Sequence, residues 1–130
     1  VSPYITIYSR SGNSFSKLSN PSTLPPSSGR GVSFSHDGIY LAVGHFSSPS
    51  VTIYKRSGST FTKLPNPASL PAANGLSVDF SSDDGYLAIG SLNSPFITVY
   101  SKSGDTFTKL PALPALPTNA FGYGVAFSNS

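Results

Sequence analysis

One stretch occurs three times, and a chain built on it has few folds open to it. Ser2–Leu18 reads SPYITIYSRSGNSFSKL, Ser48–Pro65 reads SPSVTIYKRSGSTFTKLP, and Ser94–Pro111 reads SPFITVYSKSGDTFTKLP. Tyr8, Tyr54 and Tyr100 close the first half of each copy and stand 46 residues apart. Self-similarity at a period of about 20–50 residues marks a repeat architecture, and about 40–50 is the range of four-stranded propeller blades.

Each copy reads as a β-hairpin. Val51 and Ile53 alternate with Thr52 and Tyr54, the two-residue period of a strand, and Ile5/Ile7 and Ile97/Val99 repeat it. Gly12, Gly58 and Gly104 fall at one offset after these strands, where glycine supplies a positive φ without steric cost. Residues 60–64 return with the β-formers Phe61 and Thr62.

Between the hairpins the chain keeps the same period. Ser19–Arg30 is a Pro/Ser loop that can be neither helix nor central strand. Gly31–Ser35 (GVSFS) resumes strand alternation, His36-Asp37-Gly38 signals a turn, and Ile39–Gly44 (IYLAVG) is apolar enough for burial on both faces. The second period repeats this through Gly75–Ser81, Asp83-Asp84-Gly85 and Tyr86–Gly90. Phe80 follows Phe34 by 46 residues, while Phe127 follows Phe80 by 47, so the third Pro-rich loop has gained one residue. The expected class is all-β, part of a β-propeller of four-stranded antiparallel blades. Its expected divisions are an outer hairpin over 1–18, complete blades over 31–64 and 75–110, and an inner strand over 124–130. Phe34, Phe80, Phe127, Leu41, Leu87, Val43, Ile89, Ile7, Ile53 and Val99 are the expected core.

GVSFSHDGIYLAVG followed by VTIYKRSG resembles the blades of WD-repeat-like and YVTN-like propellers. Those blades share an inner strand, a Ser-x-Asp-Gly turn, a Leu-Ala-Val-Gly strand and an Ile-x-Ile-Tyr/Trp strand. The resemblance covers essentially the whole chain. It departs from true WD repeats in that Tyr8, Tyr54 and Tyr100 stand where the Trp-Asp ending would be, and HFSSPS and SLNSPF lack the loop Asp. Hairpins of this kind with long Pro-rich loops also resemble propeller repeats of phage virion and bacterial surface proteins, which implies an extracellular or virion-surface location.

Composition narrows the chemistry. Charged residues make up 10% of the chain, against about 25% in an average protein. The absence of Cys removes disulfides, thiolate metal sites and cysteine nucleophiles. The net charge of +3 comes from basic residues spread through the repeats rather than clustered, so no nucleic-acid surface is expected. Lys17, Lys63 and Lys109 fit outer edge strands, where lysine discourages edge-to-edge pairing. No apolar run approaches the roughly 20 residues of a membrane span. The chain does not begin with Met, which suggests that Val1 is not the start of the gene product.

No catalytic residue, metal ligand or cofactor site is expected. His36 and His45 fall in loops at opposite ends of one strand, and Asp83-Asp84 suits the capping of turn amides better than acid–base work. The Pro-rich loops and the short Ser-Pro loops should emerge on one rim, carrying Arg30, His45, Phe46, Asn74, Asn93, Asn119, Phe121 and Tyr123. Amides and aromatic faces together suit a glycan or a protein segment; the same residues would equally shape turns and pack between blades.

Two complete blades plus partial ones fall short of the about 4–8 blades of a closed propeller. The expected partners are therefore other copies, or further chain that completes the ring. The leading expectation is a non-enzymatic binding or structural propeller. The alternatives are a hydrolase or lactonase-type propeller whose catalytic residues lie in other blades, and a self-assembling fragment acting as scaffold.

Overall fold

The computed structural model describes residues 2–117 and 121–129. Among them ten strands form three antiparallel sheets. The hairpin β1 (Tyr8–Ser11) and β2 (Ser14–Lys17) stands alone. A four-stranded blade follows, with β3 (Gly29–Phe34), β4 (Tyr40–His45), β5 (Val51–Ser57) and β6 (Thr60–Lys63) in sequence order. The second blade repeats it with β7 (Gly75–Phe80), β8 (Tyr86–Ser91), β9 (Ile97–Ser103) and β10 (Thr106–Lys109). This is part of a β-propeller.

Local chemistry accounts for the strand ends. Gly12, Gly58 and Gly104 have φ of +59°, +60° and +57°, as their common offset requires. Each would meet nothing within 4 Å if it carried a Cβ, so only backbone strain opposes substitution there. Gly58→Ala should therefore cost about 1–2 kcal/mol, the left-handed penalty alone, with Ser57→Ala near neutral; thermal denaturation of the two variants checks this. In the Ser-x-Asp turns, Ser35 Oγ donates to Asp37 Oδ1 (2.6 Å) and Ser81 Oγ to Asp83 Oδ1 (2.7 Å). Asp37 and Asp83 then accept the amides of Ile39 and Gly85, both at 2.9 Å.

The core lies between sheets. Tyr40, Ala42 and Ile53 of the first blade pack with Val78, Phe80, Leu87, Ile89, Tyr100 and Phe107 of the second. One period earlier, Ile5 and Ile7 pack with Leu41, Val43, Tyr54 and Phe61. Phe107 holds this junction with edge-on rings at 6.2 Å from Tyr40 and 6.3 Å from Phe80.

Three of the expected core residues depart from the expectation. Phe34 is 46% exposed, where its counterpart Phe80 is 1% exposed. Val99 and Phe127 are half-buried. Phe34 faces the two-stranded first hairpin rather than a full sheet, and Val99 and Phe127 line an open apolar groove beside the second blade.

Two strand expectations also change. Strand pairing in the first hairpin begins at Tyr8, not at Ile5, because Val51–Ile53 pair with β4 in the complete blade and the hairpin has no such neighbour. Residues 121–129 form no ladder, although they lie along the second blade: Gly122 N donates to Ser91 O (2.8 Å) and Phe127 N to Asp79 Oδ2 (2.7 Å). An inner strand needs a second strand beside it to form a ladder, and none adjoins it among the described residues.

Candidate functional site

A β-bulge builds the most conspicuous feature of the loop rim. β3 pairs Gly29 with His45 and Gly31 with Gly44, so Arg30 is left outside the ladder. Such an extra residue re-aims its side chain, and the Arg30 guanidinium lies over the Phe46 ring, 4.4 Å from the centroid. The second blade repeats the bulge between Gly75 and Ser77, but there the extra residue is Leu76, which is buried. One period later the same place is taken by Tyr123, exposed and perpendicular to Phe121 at 5.7 Å between centroids.

The Pro-rich and Ser-Pro loops do share this rim, since Ser47 N donates to Ser27 Oγ at 3.0 Å. Arg30, Phe46, Phe121 and Tyr123 are exposed on it, the first two as a cation–aromatic pair and the last two as an aromatic pair. Asn93 is exposed, and its carbonyl closes the 93–96 turn by accepting Phe96 N at 2.7 Å. Asn74 is half-buried with φ +48°, the shape that leads the loop into β7. Asn119 lies outside the described residues.

His45 is not exposed on this rim. It is 0% exposed. Its Nδ1 lies 2.9 Å from the Ser47 carbonyl, which can only accept, so Nδ1 carries the proton and Nε2 accepts from the Thr52 hydroxyl at 2.8 Å. Both ring nitrogens are thus satisfied in the neutral form, and burial holds the pKa below the usual 6.5. The second blade has Ser91 and Thr98 at these positions, and their hydroxyls meet no protein partner.

The sign of the His45 effect follows from linkage. A depressed pKa means that the unfolded chain takes up this proton at a higher pH than the folded one. His45 therefore contributes full stability above pH 6.5 and loses it as pH falls from there through the folded pKa. A second loss, below the ordinary carboxylate value of 3.8, comes from Asp37, Asp83 and Asp105, whose pKa values are lowered chiefly by the hydroxyls of Ser35, Ser81 and Tyr40. Denaturation midpoints should fall between pH 7 and 5 for the wild type, and fall less for His45→Gln.

Charge is divided between the two rims, which composition alone did not indicate. The Lys17, Lys63 and Lys109 ends of β2, β6 and β10 and the bulge residue Arg30 all lie toward the loop rim, with no carboxylate among them. Asp37, Asp83, Asp84 and Asp105 occupy the opposite rim with Arg10, Lys55, Arg56 and Lys102. There the charges offset one another: Lys55 Nζ meets Asp105 Oδ1 at 3.1 Å, Tyr40 OH donates to Asp105, and Lys102 Nζ sits 4.3 Å from the Tyr40 ring centroid. Asp84 accepts the backbone amides of His36 (2.7 Å) and Asp37 (3.0 Å), so it caps the neighbouring blade's turn. Among the described residues no three His, Cys, Asp or Glu side chains converge as metal ligands would.

No protein-family model matches the chain, and no curated protein matches it in sequence. The fold does match solved structures. One is a provisionally assigned 6-phosphogluconolactonase from Bacteroides fragilis, at 16% identity and a TM-score of 0.66 over 81% of this chain and 31% of that one. Another is a protein from Lactobacillus plantarum, at 11% identity and a TM-score of 0.57 over 77% of this chain and 29% of that one. The chain thus spans about a third of the length of these neighbours. At such identities the likeness establishes the propeller fold and nothing about activity.

Proposed function

We propose that these blades form a non-enzymatic binding propeller whose loop rim takes an acidic glycan or an acidic protein segment, on the exterior of a virion or a cell. The observation that carries this is the segregation of charge. Four cationic side chains and three exposed aromatic rings share a rim without a carboxylate among the described residues, while the opposite rim is self-neutralised. Aromatic faces suit the apolar face of a sugar ring or a peptide side chain, and the guanidinium of Arg30 suits a carboxylate or sulfate. Proline in the surrounding loops lowers the ordering cost of binding. The Ser, Thr, Gly, Pro and Tyr-rich composition supports the exterior location. The likeness to WD-repeat-like, YVTN-like, virion and surface propellers rests on the blade motifs.

A lactonase-type hydrolase, after the description of the Bacteroides fragilis protein, is the second reading. Its acid–base groups would lie in other blades, since the one histidine on the loop rim of these is buried with both ring nitrogens satisfied. A scaffold role is the third.

Glycan-array binding at low and high salt tests the first reading. Acidic glycans should be retained over neutral ones and released by salt, as exposed charges are screened. Arg30→Ala and Tyr123→Ala should abolish the signal, while Arg10→Ala on the other rim should not change it. Equal binding of neutral and acidic arrays, or loss on Arg10→Ala alone, would overturn the proposal.

A further inference from the structure

The two blades close equivalent loops on the rim with different chemistry. In the first, His45 and Thr52 stand diagonally across β4 and β5, and the imidazole joins them. Its Nδ1 donates to the Ser47 carbonyl and its Nε2 accepts from the Thr52 hydroxyl. In the second blade Ser91 and Thr98 hold those places across β8 and β9, 1% and 3% exposed. The backbone around them is unchanged. Ser91 N donates to Phe96 O as His45 N does to Ser50 O, and Phe96 N to Asn93 O as Ser50 N does to Ser47 O. Gly122 packs on Gly90 and Ser91 as Gly75 packs on Gly44 and His45.

What differs is reach. Diagonal neighbours on antiparallel strands lie about 7–8 Å apart. Imidazole covers that span and a serine hydroxyl does not. Ser91 Oγ and Thr98 Oγ1 are buried and meet no protein partner among the described residues. Folded proteins rarely leave buried hydroxyls so. The Asn93 carbonyl accepts one amide, whereas Ser47 O accepts an amide and the imidazole together.

We infer that the second blade holds one buried water molecule between Ser91 and Thr98, in the role that the His45 imidazole fills in the first. It donates to the Asn93 carbonyl and the Ser91 hydroxyl and accepts from the Thr98 hydroxyl. Those are the about three hydrogen bonds usual for an internal water. A metal cation does not suit the site. Three neutral oxygens are about half of what Ca²⁺ takes, and none of these residues carries a charge to offset it. Both hydroxyls are already enclosed, so a further repeat or another molecule laid on this face would not supply their partner.

The rim loop of the first blade is therefore closed by a side chain, and that of the second by a molecule that exchanges with solvent. The water leaves only when the 91–96 turn opens, and that turn presents Asn93 on the rim.

Water-oxygen magnetic relaxation dispersion, which counts the waters held inside a protein, tests this. The double variant Ser91→Ala/Thr98→Val changes little but the two hydroxyls, so circular dichroism should stay as in the wild type. It should hold one water fewer than the wild type. Thr52→Val, the same change in the first blade, should not lower the count. A crystal structure of the wild type should show density at hydrogen-bonding distance from Ser91 Oγ, Thr98 Oγ1 and Asn93 O, and it decides the matter should the double variant fail to fold. An unchanged count in the double variant, or an equal fall in Thr52→Val, would overturn the inference. So would a crystal structure in which the two hydroxyls bond directly to protein groups with no density between them.

Discussion

Phe80→Ala should lower the unfolding free energy by about 3–5 kcal/mol, the cost of a large cavity in a packed core. Phe80 sits at the centre of the interior junction, against Phe107 and among Tyr40, Ile53, Leu87 and Ile89. Phe34→Ala, one period earlier in the same motif, should cost only about 1–1.5 kcal/mol, mostly its edge-on contact with Phe61 at 6.1 Å. Urea midpoints at constant m-value measure both. Equal losses would mean that the face of β3 is covered in solution as fully as that of β7.

Gly75→Ala and Gly90→Ala should be nearly as damaging, each by about 3 kcal/mol, the upper end of the range for overpacking. A Cβ on Gly75 would overlap the Ser50 carbonyl oxygen, and one on Gly90 would overlap the Gly122 carbonyl oxygen. In both cases the obstacle is backbone of the adjoining repeat, which cannot rotate aside. The two differ in what they report. Gly75→Ala strains the junction between complete blades, whereas Gly90→Ala should release segment 121–129 from β8. Faster amide exchange at Gly122 and Phe127 in Gly90→Ala, with the β3–β6 amides unchanged, would be the expected signature. Unchanged exchange there would show that the segment does not depend on its approach to β8.

These contrasts mark where sequence reading stops. The period of 46 residues, the hairpins, the turn glycines and the self-capping aspartates were legible because each depends on residues close together in the chain. Alternation determines a strand, a positive φ selects glycine, and a Ser-x-Asp turn satisfies its own amides. Phe34 and Phe80 carry the same local motif, and only the array of sheets makes one half-exposed and the other buried. His45 read as a rim residue and is a buried, neutral strut, because its environment comes from the Ser47 carbonyl and Thr52 across the loop. Asp84 read as a cap for its own turn and caps the turn one blade away, a partner 48 residues distant in sequence. The bulge that aims Arg30 at Phe46 had no sequence mark beyond Gly29 and Gly31 on either side, since an extra residue is defined by the strand opposite. The segregation of charge needed the strand directions: residues spaced evenly along the chain are sorted to two rims only when successive strands run antiparallel. Local chemistry determined the elements, and neighbours contributed from other repeats decided which of their side chains stay exposed.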